Sequence, residues 1–150
     1  MADISRVRTV AAEQTAIWDV LADFGAISSW ADNVDHSCIQ RCDGDGVGVG
    51  TVRRLQLGPN TVLERITEFA PPRALAYTVE GLPARLGTVT NRWSLHPDGG
   101  GQTVVTLTST VQVGPGPIAG LTEQLVRHLV AKPSHTLLAG LARRMEHPDG

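Results

Sequence analysis

Three residues on separate strand-like runs have side chains that can do chemistry together: Arg53, Glu64 and Tyr77. A carboxyl group set among apolar side chains serves as acid, base or hydrogen-bond acceptor. A guanidinium and a phenol beside it would stabilise an enolate formed by proton transfer. A plainer reading stands next to this one. Glu64 is then a strand glutamate salt-bridged to Arg53 or Arg54. Arg53 either pairs with Glu64 across the hairpin diagonal or binds an acidic head group. Residue types alone leave both readings open.

Other constellations carry less. His36, Cys38 and Cys42 share one face of a run read as strand, which invites a metal. Four residues of strand span roughly 13 Å, too far for both thiols to hold one zinc at about 2.3 Å, and too far for a disulfide. Free, buried or half-buried thiols are expected, and no metal. Gly46, Gly48 and Gly50 alternate like a dinucleotide loop but open no helix, so no dipole is there to hold a pyrophosphate. Asp43 and Asp45 resemble a calcium loop, yet Arg54 stands where its closing glutamate belongs. No Gly-x-Ser-x-Gly elbow occurs, so a hydrolase triad has no support. No cofactor is expected.

The elements that must position these residues follow from periodicity. Residues 4–12 alternate as a strand. Across 13–24 the period changes, and Ala16, Ile17, Val20, Leu21 and Phe24 form a helical stripe that Gly25 stops. Residues 26–30 read as a further short helix or turn. Strands are then expected over 33–42, 50–57, 62–69, 74–80, 85–96 and 102–113, separated by Gly- and Pro-rich turns. Residues 118–145 form the one long helix. Its apolar stripe runs through Leu121, Leu125, Val126, Leu129, Val130, Leu137, Leu138 and Leu141. Pro133 interrupts it, so a bend is expected there, with the part before it covering a cavity and Leu137 and Leu141 sealing the base. Short connections force antiparallel neighbours.

Alternation also gives facing. Val105, Leu107, Ser109 and Val111 belong to one row and the threonines between them to the other. Val89, Asn91, Trp93 and Leu95 are expected inward on the preceding strand, and Leu75, Tyr77 and Val79 on the one before. The first hairpin is ambiguous. With Pro59 and Asn60 central in the turn, Leu57 faces Val62, Leu55 faces Glu64 and Arg53 faces Ile66. The inner row is then either this set or Leu63, Thr67 and Phe69, and a one-residue slip would exchange them.

Composition bounds the class. With 150 residues, 41% hydrophobic and 19% charged, the chain is read as one domain spanning 1–150. A net charge of −2 without a basic run gives no reason to expect nucleic acid. No apolar run reaches the roughly 18 residues of an integral membrane segment. Two cysteines and an N-terminus without a secretory layout make a cytoplasmic setting the expectation, as a monomer or weak homodimer.

The runs Gly50-Thr51-Val52-Arg53-Arg54, Glu64-Arg65-Ile66, Phe69-Ala70-Pro71-Pro72-Arg73-Ala74-Leu75-Ala76-Tyr77 and Asn91-Arg92-Trp93-Ser94-Leu95 resemble bacterial polyketide cyclase/dehydrase-like proteins of the START-related, birch-allergen-like superfamily. The resemblance spans the chain, although each motif is loose. It implies an α+β helix-grip fold: a seven-stranded curved antiparallel sheet around a long C-terminal helix, with two short helices after the first strand and a cavity between sheet and helix. It also favours Glu64 facing inward. Pro133 departs from the usual uninterrupted helix. The implied function is binding of a small, mostly hydrophobic molecule of lipid, polyketide or aromatic type. The alternatives are a cyclase or dehydratase using Glu64, Arg53 and Tyr77, and an interaction module with a residual cavity. The expected lining is Trp30, His36, Cys38, Leu55, Leu57, Val62, Glu64, Tyr77, Val79, Val89, Asn91, Trp93, Leu107 and Ser109, with Val126 and Val130 from the helix.

Overall fold

Alternating apolar and polar side chains resolve into strands in the computed structural model, which describes residues 2–42, 44, 46–80, 88–112 and 132–147. The strands are β1 (Ala2–Val10), β2 (His36–Arg41), β3 (Val52–Leu57), β4 (Asn60–Ala70), β5 (Ala74–Glu80), β6 (Thr88–Pro97) and β7 (Thr103–Gln112). They form a seven-stranded antiparallel sheet in the order β1-β7-β6-β5-β4-β3-β2. Helix α1 (Gln14–Ala22) and a 3-10 segment (Phe24–Ser29) follow β1, and helix α2 (Lys132–Glu146) lies at the C-terminal end. The fold is the α+β helix-grip arrangement. β1 pairs with β7 rather than with β2, so the two short helices bridge the two edges of the sheet.

Facing in β5, β6 and β7 follows the alternation. Leu75, Tyr77, Trp93, Leu107, Ser109 and Val111 are each 1% exposed or less, while the threonines between them are half-buried or exposed. The first hairpin has the expected inner row but a different register. Leu57 pairs with Asn60, Leu55 with Val62 and Arg53 with Glu64. Gly58 and Pro59 are therefore the central turn residues, and Gly58 takes a φ of +60°. Glycine first in a two-residue hairpin loop matches strand twist, and proline second supplies the negative φ that follows. The shift is two residues, an even number, so every side chain keeps its face. Two bulges, between Ile39 and Arg41 and between Ile66 and Glu68, bend the sheet. The second turns Phe69 inward, against expectation, so that its ring meets Trp18 edge-on at 5.2 Å.

Helix α2 is described from Lys132 onward, with Pro133 as its second residue. The segment expected before it, with Leu121, Leu125, Val126, Leu129 and Val130, lies outside the described residues, and so does the bend. Leu137, Leu138, Leu141 and Ala142 are buried against the sheet, each leucine contributing about 1.5–3 kcal/mol. Hydrogen bonds fix the helix at both ends: Arg6 Nε donates to Ser134 Oγ at 3.0 Å, and the Ala11 N–H to Glu146 Oε2 at 3.1 Å. Gly140 lets α2 lie directly on the Trp30 carbonyl, and a Cβ there would collide with that oxygen.

Gly140→Ala should therefore lower stability. Overpacking costs about 1–3 kcal/mol, against a helix-propensity gain of up to about 1 kcal/mol. A reduced denaturant midpoint is the expected result. An unchanged or raised midpoint would show that α2 can shift away from Trp30.

Candidate functional site

The β3–β4 register sets Arg53 directly opposite Glu64, not diagonal to it. Arg53 Nε donates to Glu64 Oε1 at 2.8 Å, and Nη2 lies 2.6 Å from the same oxygen. The two side chains are 3% and 8% exposed. Nη1 donates to the Phe24 carbonyl at 3.1 Å. The guanidinium carbon sits 3.8 Å from the Phe24 ring centre and 4.5 Å from that of Tyr77. Removing two charges from water is costly unless hydrogen bonds and polarisable neighbours compensate. Here the carboxylate, a backbone carbonyl and two aromatic faces do so for Nε and Nη1, while Nη2 has the Glu64 charge beside it without hydrogen-bond geometry. Tyr77 is in turn fixed by Trp93, whose Nε1 donates to the phenol oxygen at 3.1 Å. Burial, and next the Glu64 charge, push the Tyr77 phenol up to about 12.

Glu64 and Tyr77 also face a cavity of about 230 Å³. Among the described residues its walls are Ile27, Asn33, Val34, Leu55, Leu57, Val62, Glu64, Tyr77, Val79, Val89, Asn91, Pro133 and Leu137. The wall is mostly aliphatic, and the volume lies just below the roughly 300–1,000 Å³ usual for ligand pockets. The apolar core explains its position. One buried cluster holds Leu55, Ile66, Tyr77, Trp93 and Leu137, and a separate one holds Val89 and Val111 with Ile4 and Val79 against them. Domains usually have one contiguous core. Among the described residues, the cavity draws its walls from both clusters.

The polar groups of the wall have defined orientations. Ser109 Oγ donates to Asn91 Oδ1 at 2.6 Å, which leaves the Asn91 amide N–H groups for the cavity. Arg53 occupies Glu64 Oε1. Asn33 Oδ1 is buried without a hydrogen-bond partner. The loop carrying Asn33 is tied down on several sides. Arg143 forms a forked pair with Asp32 at 2.8 and 2.6 Å, the Val34 N–H donates to the Ala31 carbonyl, and the Asp35 N–H donates to the Gln56 carbonyl.

Of the residues expected to line a pocket, the structure brings Leu55, Leu57, Val62, Glu64, Tyr77, Val79, Val89 and Asn91 together. Trp30, Trp93 and Leu107 are core instead, with the Trp30 and Trp93 rings edge to face at 5.9 Å. Ser109 stands behind Asn91 as its hydrogen-bond donor. His36 and Cys38 are misplaced by the expectation. Ser37 pairs with inward-facing Leu55, so its two neighbours point to the outer face and are exposed. Cys42 is exposed too, with Sγ donating to the Gly46 carbonyl at 2.7 Å, so neither thiol is the buried one expected. Val126 and Val130 lie outside the described residues. Ile27, Asn33 and Val34 were not anticipated. Their apolar spacing beside Trp30 is a weak signal for the two aliphatic residues, and nothing in the sequence marks Asn33. No cluster of metal-ligating side chains occurs among the described residues. None of the described helices is long and apolar enough to cross a membrane. A more open groove of about 550 Å³ lies by the Pro71–Pro72 turn, crossed by the Arg92–Glu68 ion pair at 2.8 Å.

Comparison with known proteins agrees with this architecture. A START superfamily protein from Mycobacterium smegmatis superposes with a TM-score of 0.76 at 20% identity, covering 97% of this chain and 98% of that one. The Zhui aromatase/cyclase from Streptomyces sp. R1128 superposes at 0.74 and 20% identity, covering 99% and 98%. A solution structure from Thermobifida fusca reaches 0.79 at 21% identity, covering 99% and 96%. At these identities the likeness concerns the fold. No curated protein sequence matches the chain significantly. The sequence model for "Polyketide cyclase / dehydrase and lipid transport" matches residues 1–146, and the chain belongs to that family.

Proposed function

We propose that this protein binds a small, mostly apolar molecule in the cavity between the sheet and α2. The observation that carries the reading is the cavity itself, a mostly aliphatic gap between two halves of the core, with a few oriented polar groups in its wall. Burying an apolar ligand there would remove about 25 cal/mol of unfavourable hydration per Å². The polar groups would fix its orientation.

Binding is favoured over catalysis by what Arg53, Glu64 and Tyr77 already do. Arg53 is spent on Glu64 and the Phe24 carbonyl. Tyr77 is fully buried and already accepts from Trp93, and a phenol at about 12 does not exchange protons readily near neutrality. Glu64 is left as a held carboxylate edge rather than one member of an acid–base pair.

Two outcomes are expected. Val62 is half-buried in the cavity wall, so Val62→Phe should fill the space without disturbing the sheet. Naphthalene affinity by calorimetry should fall about ten-fold or more while the melting temperature holds; undiminished binding would place the ligand elsewhere. The second concerns Tyr77, the chain's single tyrosine. Its phenolate absorbance should titrate near pH 12 in the folded protein and near 10 in denaturant. The unfolded chain then loses its proton first, so stability is intact below pH 10 and declines as pH rises from 10 toward 12, by on the order of 2–3 kcal/mol. A folded-state midpoint at the unfolded value would mean the ring is open to water.

A further inference from the structure

The concave face of the sheet is apolar over most of its area, but one central row is not. Tyr77, Asn91 and Ser109 are register partners across β5, β6 and β7. Asn91 falls between buried Val89 and Trp93 on one face of β6, so strand alternation turns its side chain inward. There it lines the cavity. It is half-buried, whereas Tyr77, Val89, Trp93 and Ser109 around it are each 5% exposed or less.

Its amide has a fixed orientation. The buried Ser109 hydroxyl lies 2.6 Å from Asn91 Oδ1. That is an O–H···O length, whereas N–H···O bonds run about 2.7–3.2 Å, so the oxygen and not the nitrogen faces Ser109. Among the described residues the amide nitrogen has no hydrogen-bond partner. The buried, unpartnered side-chain atoms that water cannot reach are Trp30 Nε1, Asn33 Oδ1 and Arg53 Nη2, and Asn91 Nδ2 is not among them. Its two N–H donors are therefore both unspent and reachable from the cavity.

Charge narrows what they can meet. Glu64 is the charged member of the cavity wall among the described residues, and its partner Arg53 stands outside that wall. A ligand there faces the negative end of the pair, which disfavours an anionic head group.

We propose that Asn91 is a specificity-determining residue whose Nδ2 donates a hydrogen bond to an oxygen acceptor on a neutral, otherwise apolar ligand. The ligand class is thus a ketone, ester, ether or alcohol, rather than a hydrocarbon or a carboxylate. The inference rests on the cavity being a ligand site, and a test can separate the two claims.

Cyclooctanone and methylenecyclooctane have nearly the same shape and differ in C=O against C=CH2, and cyclooctanecarboxylate adds a charge. The informative quantity is the ketone-to-alkene affinity ratio, compared between proteins by NMR titration. The variant is Asn91→Leu combined with Ser109→Ala, because leucine alone would strip the Ser109 hydroxyl of its acceptor. Relative to unmodified protein, the ratio should fall about three- to ten-fold, the worth of one buried neutral hydrogen bond. Equal ratios in the two proteins would overturn the Asn91 assignment while leaving the cavity reading intact. Carboxylate binding as tight as that of the ketone would overturn the neutral class. Failure of all three probes to bind the unmodified protein would overturn both claims. Should the variant not fold, the Asn91 side-chain amide protons of unmodified protein decide. A downfield shift with the ketone and none with the alkene supports the proposal, and the same response to both overturns it.

Discussion

The structure depends on a buried charge pair. Arg53 and Glu64 face each other across β3 and β4 with almost no exposure, and an ion pair so placed holds only when the remaining polar groups find partners. That requirement reaches beyond the hairpin. Arg53 needs the Phe24 carbonyl and ring, so the 3-10 segment must dock against the sheet. It needs the Tyr77 face, so β5 must present that ring inward, and Trp93 on β6 holds it there. Four elements are oriented by one guanidinium. Gly25, next to Phe24, completes the fit, because a Cβ there would stand 2.8 Å from Ile39 Cγ1.

With that corner fixed, the cavity is a consequence of geometry. Bulges curl the sheet and α2 packs on the curl, and among the described residues the gap is walled by side chains of two separate clusters. The loop over 30–35 forms part of the wall and is held by contacts on opposite sides, Gly140 and Arg143 from α2 and the β3 backbone from the sheet. Walls whose backbone is hydrogen-bonded on both sides lower the cost of ordering a site.

Much of this was legible in the sequence where a period of two was unbroken. β5, β6 and β7 alternate cleanly, so Tyr77, Val79, Val89 and Asn91 were placed from residue types alone. The β3–β4 hairpin lies two residues from the register a Pro59–Asn60 turn predicts, because Gly58, not Pro59, leads the turn. Its inner row survived because the error was even. Phe69 was misfaced because a bulge resets alternation without leaving a mark in composition. His36 and Cys38 were misfaced because β2 is a short edge strand exposed along nearly its whole length, with too little apolar contrast to set its phase. Asn33 lies in a turn, where neither period applies, and it reaches the cavity wall through a loop whose Asp32 pairs with Arg143, 111 positions away in the chain. The helical stripe from Leu137 to Leu141 was legible because three-and-four spacing continued past Pro133.

The proposed binding site is the gap between the sheet and α2. Nuclear Overhauser effects between bound naphthalene and the protein's methyl groups test it most directly. Contacts are expected to Val62, Val79, Val89 and Leu137, which line the cavity from four different elements. Contacts confined to Ala70, Ala74 and Leu95, in the groove by the Pro71–Pro72 turn, would contradict it, as would the absence of any contact at saturating naphthalene.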